Sequence, residues 1–189
     1  MQPKLILASN SPRRKEIMEM LPWDFFVEAM ETDEKIDENE SVEENLKNIA
    51  YQKAVCISRK YPEAIVVGGD TIVLVQGEIL GKPKNEEDAK NMLRSISTRT
   101  HYVYTGVCIL CKDRDIDIRF IGKTTVYMTP MSEKEIEEYV ASGEPFGKAG
   151  SYAIQGKGGV HVEKIEGDYY NVVGLPLNRL YQELKTIMG

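Results

Sequence analysis

Apolar residues fall in two rhythms along this chain, short unbroken runs and runs spaced three and four apart, and their alternation predicts strands and helices in turn. Leu5-Ile6-Leu7-Ala8 reads as a buried strand over Lys4–Ala8. Ser9-Asn10-Ser11-Pro12 then leads into a helix from about Pro12 to Leu21, with Ile17, Met18 and Leu21 on its apolar side. Ser11 is placed to cap that helix and Pro12 to open it, because a hydroxyl accepts a free N–H and proline has no N–H to lose. A second helix is expected over Ser41–Lys60, carrying Leu46, Ile49, Ala50, Lys53 and Ala54, with Ser41 and Glu44 as a capping box. Next come the strand Ala64–Gly68, the dyad Gly69-Asp70 and the apolar run Thr71–Val75, which Gln76-Gly77 turns back into Glu78-Ile79-Leu80 as a hairpin.

Gly81-Lys82-Pro83 leads into a helix from about Glu86 to Ile96. Two long strands follow, His101–Cys111 and Asp115–Met128, and then a helix over Ser132–Ala141 whose Ser132 and Glu135 form another capping box. The glycine-rich stretch Gly143–Gly159 is long, which points to a function, an ordinary glycine-rich connection being the alternative. The tail reads as a strand pair, Gly159–Ile165 and Asp168–Val173, turning at Glu166-Gly167, before a last helix from Pro176 to about Ile187. Strand-helix units mixed with antiparallel hairpins predict an α/β fold, a mixed sheet flanked by helices with a cleft. Neither an internal repeat nor a linker divides the sequence, so residues 1–189 are expected to be one domain, bilobed at most.

Composition narrows the function. The chain has 189 residues, 42% hydrophobic and 29% charged, the balance of a soluble globular protein. Lys and Arg total 24 against 30 Asp and Glu, so the net charge is 24 − 30 = −6. Such a chain has no general field to gather DNA or RNA, and any phosphate must be met by a local cluster of cations. A nucleic-acid partner is therefore not expected, and a small molecule is. The apolar run at Leu5–Ala8 is far below the length of a signal core or membrane span, and three cysteines without an export signal suit a reducing cytoplasm. Cys108 and Cys111 have the spacing of a metal pair, but three residues apart in a strand they face opposite sides, so they are read as structural.

Several segments carry chemistry. Ser9-Asn10-Ser11-Pro12-Arg13-Arg14 sets hydroxyls and two guanidinium forks at the start of a helix, a phosphate site or else a capped surface helix whose arginines pair with Glu16 or Glu19. Gly68-Gly69-Asp70-Thr71 puts a carboxylate at a glycine-softened turn inside an apolar segment, costly unless it meets a metal, a cation or a proton in transit; the alternative is an Asp that caps the turn. Lys53 and Lys82 could each meet a phosphate, although lysines on helices and loops are mostly solvated. The acidic run around Glu34 is a solvated face unless it converges with Asp70 on a metal. In the glycine-rich stretch, Gln155 carries an amide whose donor and acceptor could read a base. Walker, Rossmann and zinc patterns are absent from the sequence.

Taken together, Ala8-Ser9-Asn10-Ser11-Pro12-Arg13-Arg14, Asp33-Glu34, Lys53-Ala54, Gly69-Asp70-Thr71-Ile72-Val73, Gly81-Lys82-Pro83, Tyr152-Ala153-Ile154-Gln155-Gly156 and Asn171-Val172-Val173-Gly174-Leu175-Pro176-Leu177 resemble the Maf family of nucleotide pyrophosphatases, in order and over Leu5–Leu184. The resemblance implies an elongated twisted mixed sheet with two lobes around a central cleft, similar to the inosine triphosphate pyrophosphatases. It implies hydrolysis of nucleoside triphosphates to monophosphate and pyrophosphate, with Asp70 as proton acceptor and a divalent cation, Mg²⁺ or Mn²⁺, handled by Asp70 and Glu34. Ser9, Arg13, Arg14, Lys53 and Lys82 would surround the phosphates, while Arg13, Thr71 and Gln155 match the branch that prefers dTTP and UTP. Gly69 stands where that family often has alanine. The resemblance also admits a homodimer, and a different class of function, a nucleotide-binding regulator of septum formation whose hydrolysis is incidental.

Overall fold

A computed structural model describes residues 3–32 and 36–189. In chain order the elements are β1 (Leu5–Leu7), α1 (Pro12–Met18), β2 (Phe25–Val27), α2 (Val42–Lys60), β3 (Ile65–Val75), β4 (Glu78–Leu80), α3 (Glu86–Ile96), β5 (Thr100–Cys111), β6 (Ile116–Met128), α4 (Glu133–Ala141), β7 (Val162–Glu166), α5 (Tyr169–Val173) and α6 (Leu177–Met188). The strands form one mixed sheet in the order β2-β1-β3-β5-β6-β7, with β4 paired to β3. β1 runs parallel to both β2 and β3, whereas β3–β4 and β6–β7 are antiparallel. The expected mixed α/β class is what the chain adopts.

The chain divides into two compact units, one of residues 1–70, 105–122 and 174–189 and the other of residues 71–104 and 123–173. The first is built on the β1–β3 pair, where Ile6, Ala8 and Val66 meet Ala50, Ala54 and Ile57 of α2 and Cys108 and Leu110 of β5. Its helix lies unusually close to its strands. A Cβ on Gly68 would stand 2.4 Å from the Ala50 carbonyl oxygen, and one on Gly106 would stand 2.6 Å from that of Leu46. Leu46, Ala50 and Ala54 recur every four residues, so one ridge of α2 seats directly on these two glycines. The second unit has its own core, with Val73, Leu93, Ile96, Val126, Ile136 and Tyr139 at its centre.

Several expectations change. The Gly69-Asp70 dyad is not a turn: pairing of Leu7 with Val67 on one side and of Val73 with Leu80 on the other carries β3 straight through it. Asp168–Val173 is not a strand either. Asp168 Oδ1 accepts the Tyr170 N–H at 2.8 Å, and buried Asn171 donates to the Val103 carbonyl and to Thr124 Oγ1, both at 3.1 Å. These contacts fix the helix α5 and override the strand preference of its tyrosines and valines. β2 joins the edge of the sheet without a prior signal, and α1 stops at Met18 rather than Leu21. Of the two capping boxes, Ser132–Glu135 is complete, while Ser41 supplies only the serine half.

Candidate active site

In the first unit, the chain leaves β1 level with the middle of β3. Leu7 pairs with Val67 and Ala8 N–H donates to the Val67 carbonyl at 2.8 Å, so Ser9 lies beside Gly69 and Asp70, beyond the C-terminal end of β1. Side chains alternate along a strand, so Asp70 faces the same side as Gly68, toward α2. Lys53 sits between Ala50 and Ala54 on that helix, and the close seating of α2 brings its Nζ to 2.8 Å from Asp70 Oδ1. Both side chains are over four-fifths buried, at 15% and 18% exposure. The sequence had set Lys53 and Asp70 as separate candidates; the fold joins them.

Arg13 and Arg14 part company. Arg14 is buried, with Nε donating to the Gly174 carbonyl at 3.0 Å and Nη1 to Ser9 Oγ at 3.2 Å. Ser9 Oγ also accepts the Ser11 N–H at 3.2 Å, so the guanidinium braces the Ser9 turn against the segment before α6. Gly174 has φ 147°, a conformation that favours glycine, and this aims its carbonyl at Arg14. Arg13 is only partly buried, and that burial lowers its pKa from the ordinary value while Glu16 pulls the other way. A guanidinium stays charged in proteins, so a partly dehydrated one is well placed to receive a phosphate oxygen.

The remaining candidates belong to the second unit, whose first residue is Thr71. Lys82 is exposed just beyond β4. Gly150 N–H donates to the Gly81 carbonyl at 3.1 Å, and a Cβ on Gly150 would press on Val73 at 2.8 Å. The glycine-rich stretch thus packs on the β3–β4 hairpin, next to Lys82 and on the face of β3 that Val73 shares with Thr71. Gln155 stands exposed on a turn closed by the Gly156 N–H on the Ala153 carbonyl at 3.2 Å.

Glu34 lies outside the described residues. Among the described residues, no group of three His, Cys, Asp or Glu is placed to hold a metal. Asp70, one carboxylate, fits a cation that brings its other ligands as phosphate oxygens and water, the usual habit of Mg²⁺. The three cysteines are free, with Cys108 and Cys111 buried in the unbroken strand β5. Among the described residues no helix is long and apolar enough to cross a membrane.

A model of the Maf-like protein family matches residues 4–187. The chain belongs to this family. A Geobacillus relative named dTTP/UTP pyrophosphatase is 47% identical over 184 residues, covering 97% of this Maf-like chain and 98% of the relative. A Bacillus cereus protein of the same name is 48% identical over 182 residues, covering 96% and 94%. Among solved structures, the Staphylococcus aureus Ham1 protein is similar with a TM-score of 0.47 and 17% identity, over 66% of this chain and 71% of that one. Two residues of this Maf-like chain that the sequence does not mark, Tyr139 and Glu144, bind the backbone of the glycine-rich stretch. Their sequence signal is faint, a tyrosine on an amphipathic helix and a glutamate in a loop.

Proposed function

We propose that this protein hydrolyses nucleoside triphosphates, preferring dTTP and UTP, to the monophosphate and pyrophosphate, and so clears such nucleotides from the cytoplasmic pool as a single domain. The observation that carries the chemistry is the Asp70–Lys53 pair at 2.8 Å. The substrate class is supported by relatives named dTTP/UTP pyrophosphatase that share nearly half of their residues with the chain over almost its whole length.

In this reading water attacks the α-phosphorus and the α–β anhydride bond breaks, with pyrophosphate as leaving group. Asp70, oriented through Oδ1 by Lys53, takes the water's proton. Arg13, Lys53 and Lys82 offset the charge that gathers on the phosphate oxygens, and Arg14 holds Ser9 in place for them. A divalent cation, Mg²⁺ or Mn²⁺, held by Asp70 and Glu34, would neutralise phosphate charge and lower the pKa of bound water. Base choice falls to Gln155 with Arg13 and Thr71. A primary amide matches the O4 and N3–H edge shared by thymine and uracil, while cytosine presents that edge reversed.

The test is to incubate the purified protein with dTTP, UTP, CTP, ATP or GTP and Mg²⁺ or Mn²⁺, and to identify the products. The expected products from dTTP are dTMP and pyrophosphate, with kcat/KM for dTTP and UTP well over tenfold above the purine nucleotides, the scale set by buried polar groups left unpaired against the wrong base. Orthophosphate with dTDP would overturn the reaction, and a purine preference would overturn the substrate branch. Tight dTTP binding without turnover would favour the regulatory reading instead.

A further inference from the structure

The far end of the glycine-rich stretch is bound by one carboxylate, that of Glu144. Glu144 Oε1 accepts the Lys157 N–H at 2.9 Å, and Oε2 accepts the Gly158 N–H at 3.0 Å and the Tyr139 hydroxyl at 2.7 Å. The same phenol oxygen accepts the Ala153 N–H at 3.1 Å. One step earlier, the Tyr152 hydroxyl meets Nε2 of buried His101 at 2.7 Å. The turn Ala153–Gly156, with Gln155 exposed at its third position, is therefore tied down on both sides, at Ala153 before it and at Lys157 and Gly158 after it.

The glycines confirm how close this contact is. A Cβ on Gly156 would lie 2.2 Å from Glu144 Oε1, and one on Gly158 would lie 2.6 Å from the Tyr139 hydroxyl oxygen. Gly156 and Gly158 are thus glycine so that the backbone can reach the carboxylate and the phenol. The anchor is itself held in place. Tyr139 projects from α4 into the core, and Lys148 Nζ donates to the Glu144 carbonyl at 2.6 Å. Burial opposes the charge on Glu144, but the Tyr139 hydroxyl, the two N–H groups and Lys148 outweigh it and hold the carboxyl below its ordinary pKa. It is an ionised acceptor, the strong kind of hydrogen-bond partner.

We infer that Glu144, working with Tyr139, is a positioning residue that fixes the turn presenting Gln155 and thereby sets how sharply the enzyme separates one base from another. The inference rests on the reading of Gln155 as the base-reading side chain. Neither Glu144 nor Tyr139 touches substrate in this account; both act through the backbone of residues 153–158.

The experiment uses the full chain with Glu144→Gln and with Tyr139→Phe, the second keeping the ring packing and removing only the hydroxyl. kcat and KM are measured for dTTP and GTP in each variant and in the Gln155→Ala background, alongside amide hydrogen exchange over residues 152–158. The expected result is faster exchange across the turn, a dTTP-over-GTP ratio lowered by about tenfold, and a change carried in KM while kcat for saturating dTTP stays within about threefold. If Glu144 acts through Gln155, its substitution adds nothing to the ratio once Gln155 is alanine, because residues acting through one contact are not additive. An unchanged ratio in both single variants, or an additive loss in the Gln155→Ala background, would overturn the inference. A wild type that discriminates no base fails the underlying reading instead, and that failure is visible before any variant is made.

Discussion

At the scale of single residues, the proposed site centres on a carboxylate and an ammonium, Asp70 and Lys53, held together where solvent is scarce. Asp70→Asn removes the charge at almost constant shape, so it separates chemistry from folding. A loss of about 10²-fold or more in kcat with dTTP is expected, with an unchanged circular dichroism spectrum, since a positioned base contributes on that scale. A kcat near that of the wild type would take Asp70 out of the reaction. The buried His101 gives a second, independent prediction. Burial lowers its pKa from 6.5 to about 4, so between those values the unfolded chain takes up a proton that the folded chain refuses. Its contribution, on the order of 3 kcal/mol, is fully present above pH 6.5 and is lost as the pH falls toward 4. Urea unfolding at pH 7 and pH 4 should show a shallower loss of stability in His101→Gln, which keeps a polar partner near Tyr152 but cannot titrate. Equal losses in the two proteins would place the acid sensitivity elsewhere.

At the scale of elements, the distance between α2 and β3 decides whether Lys53 reaches Asp70, and Gly68 sets it. A Cβ there meets the Ala50 carbonyl oxygen at 2.4 Å, a backbone atom that moves only if the helix moves. Gly68→Ala is expected to cost about 1–3 kcal/mol by overpacking and to lower kcat as Lys53 is displaced. The neighbouring Gly69→Ala, whose new methyl would meet the side-chain tip of Leu175 at 3.1 Å rather than backbone, should stay within about 1 kcal/mol of the wild type. Chemical denaturation and dTTP turnover of the two variants check the contrast, and a fully active, stable Gly68→Ala would show that helix packing does not place Lys53. The same elements show what was legible beforehand. Asp70 stood out because a carboxylate inside Ile65–Val75 is anomalous by itself, and α2 and α4 announced themselves by their capping serines. The junction of Lys53 with Asp70 was not legible, because it depends on glycines that read as a softened turn and serve instead as a seat for a helix. Arg14 looked equal to Arg13 until the Gly174 carbonyl, 160 residues away, was seen to hold it. β2, short and exposed at a sheet edge, left no pattern to read, and α5 was hidden because its side-chain bonds to β5 and β6 outweigh local preference.

At the scale of the whole molecule, the backbone passes repeatedly between the two compact units. The chain passes from one unit to the other at residues 70–71, 104–105, 122–123 and 173–174, and the first three of these crossings lie inside the strands β3, β5 and β6. Covalent continuity of a strand through such a crossing is the reason to expect the order of its two halves to be linked. Asp70, the last residue of the first unit, and Thr71, which opens the second, are also consecutive residues of one such strand. The protein is therefore expected to unfold as a single cooperative body. Calorimetry should show one transition whose measured enthalpy equals its van't Hoff enthalpy, roughly 130 kcal/mol near 60 °C for a chain of this length. Gly68→Ala in the first unit should then lower the melting of His101 and Tyr152 surroundings in the second by the same amount, as followed by near-ultraviolet circular dichroism. Two resolved transitions, with only one of them shifted by Gly68→Ala, would mean that the units fold separately and that residues 1–189 are not one domain in the thermodynamic sense.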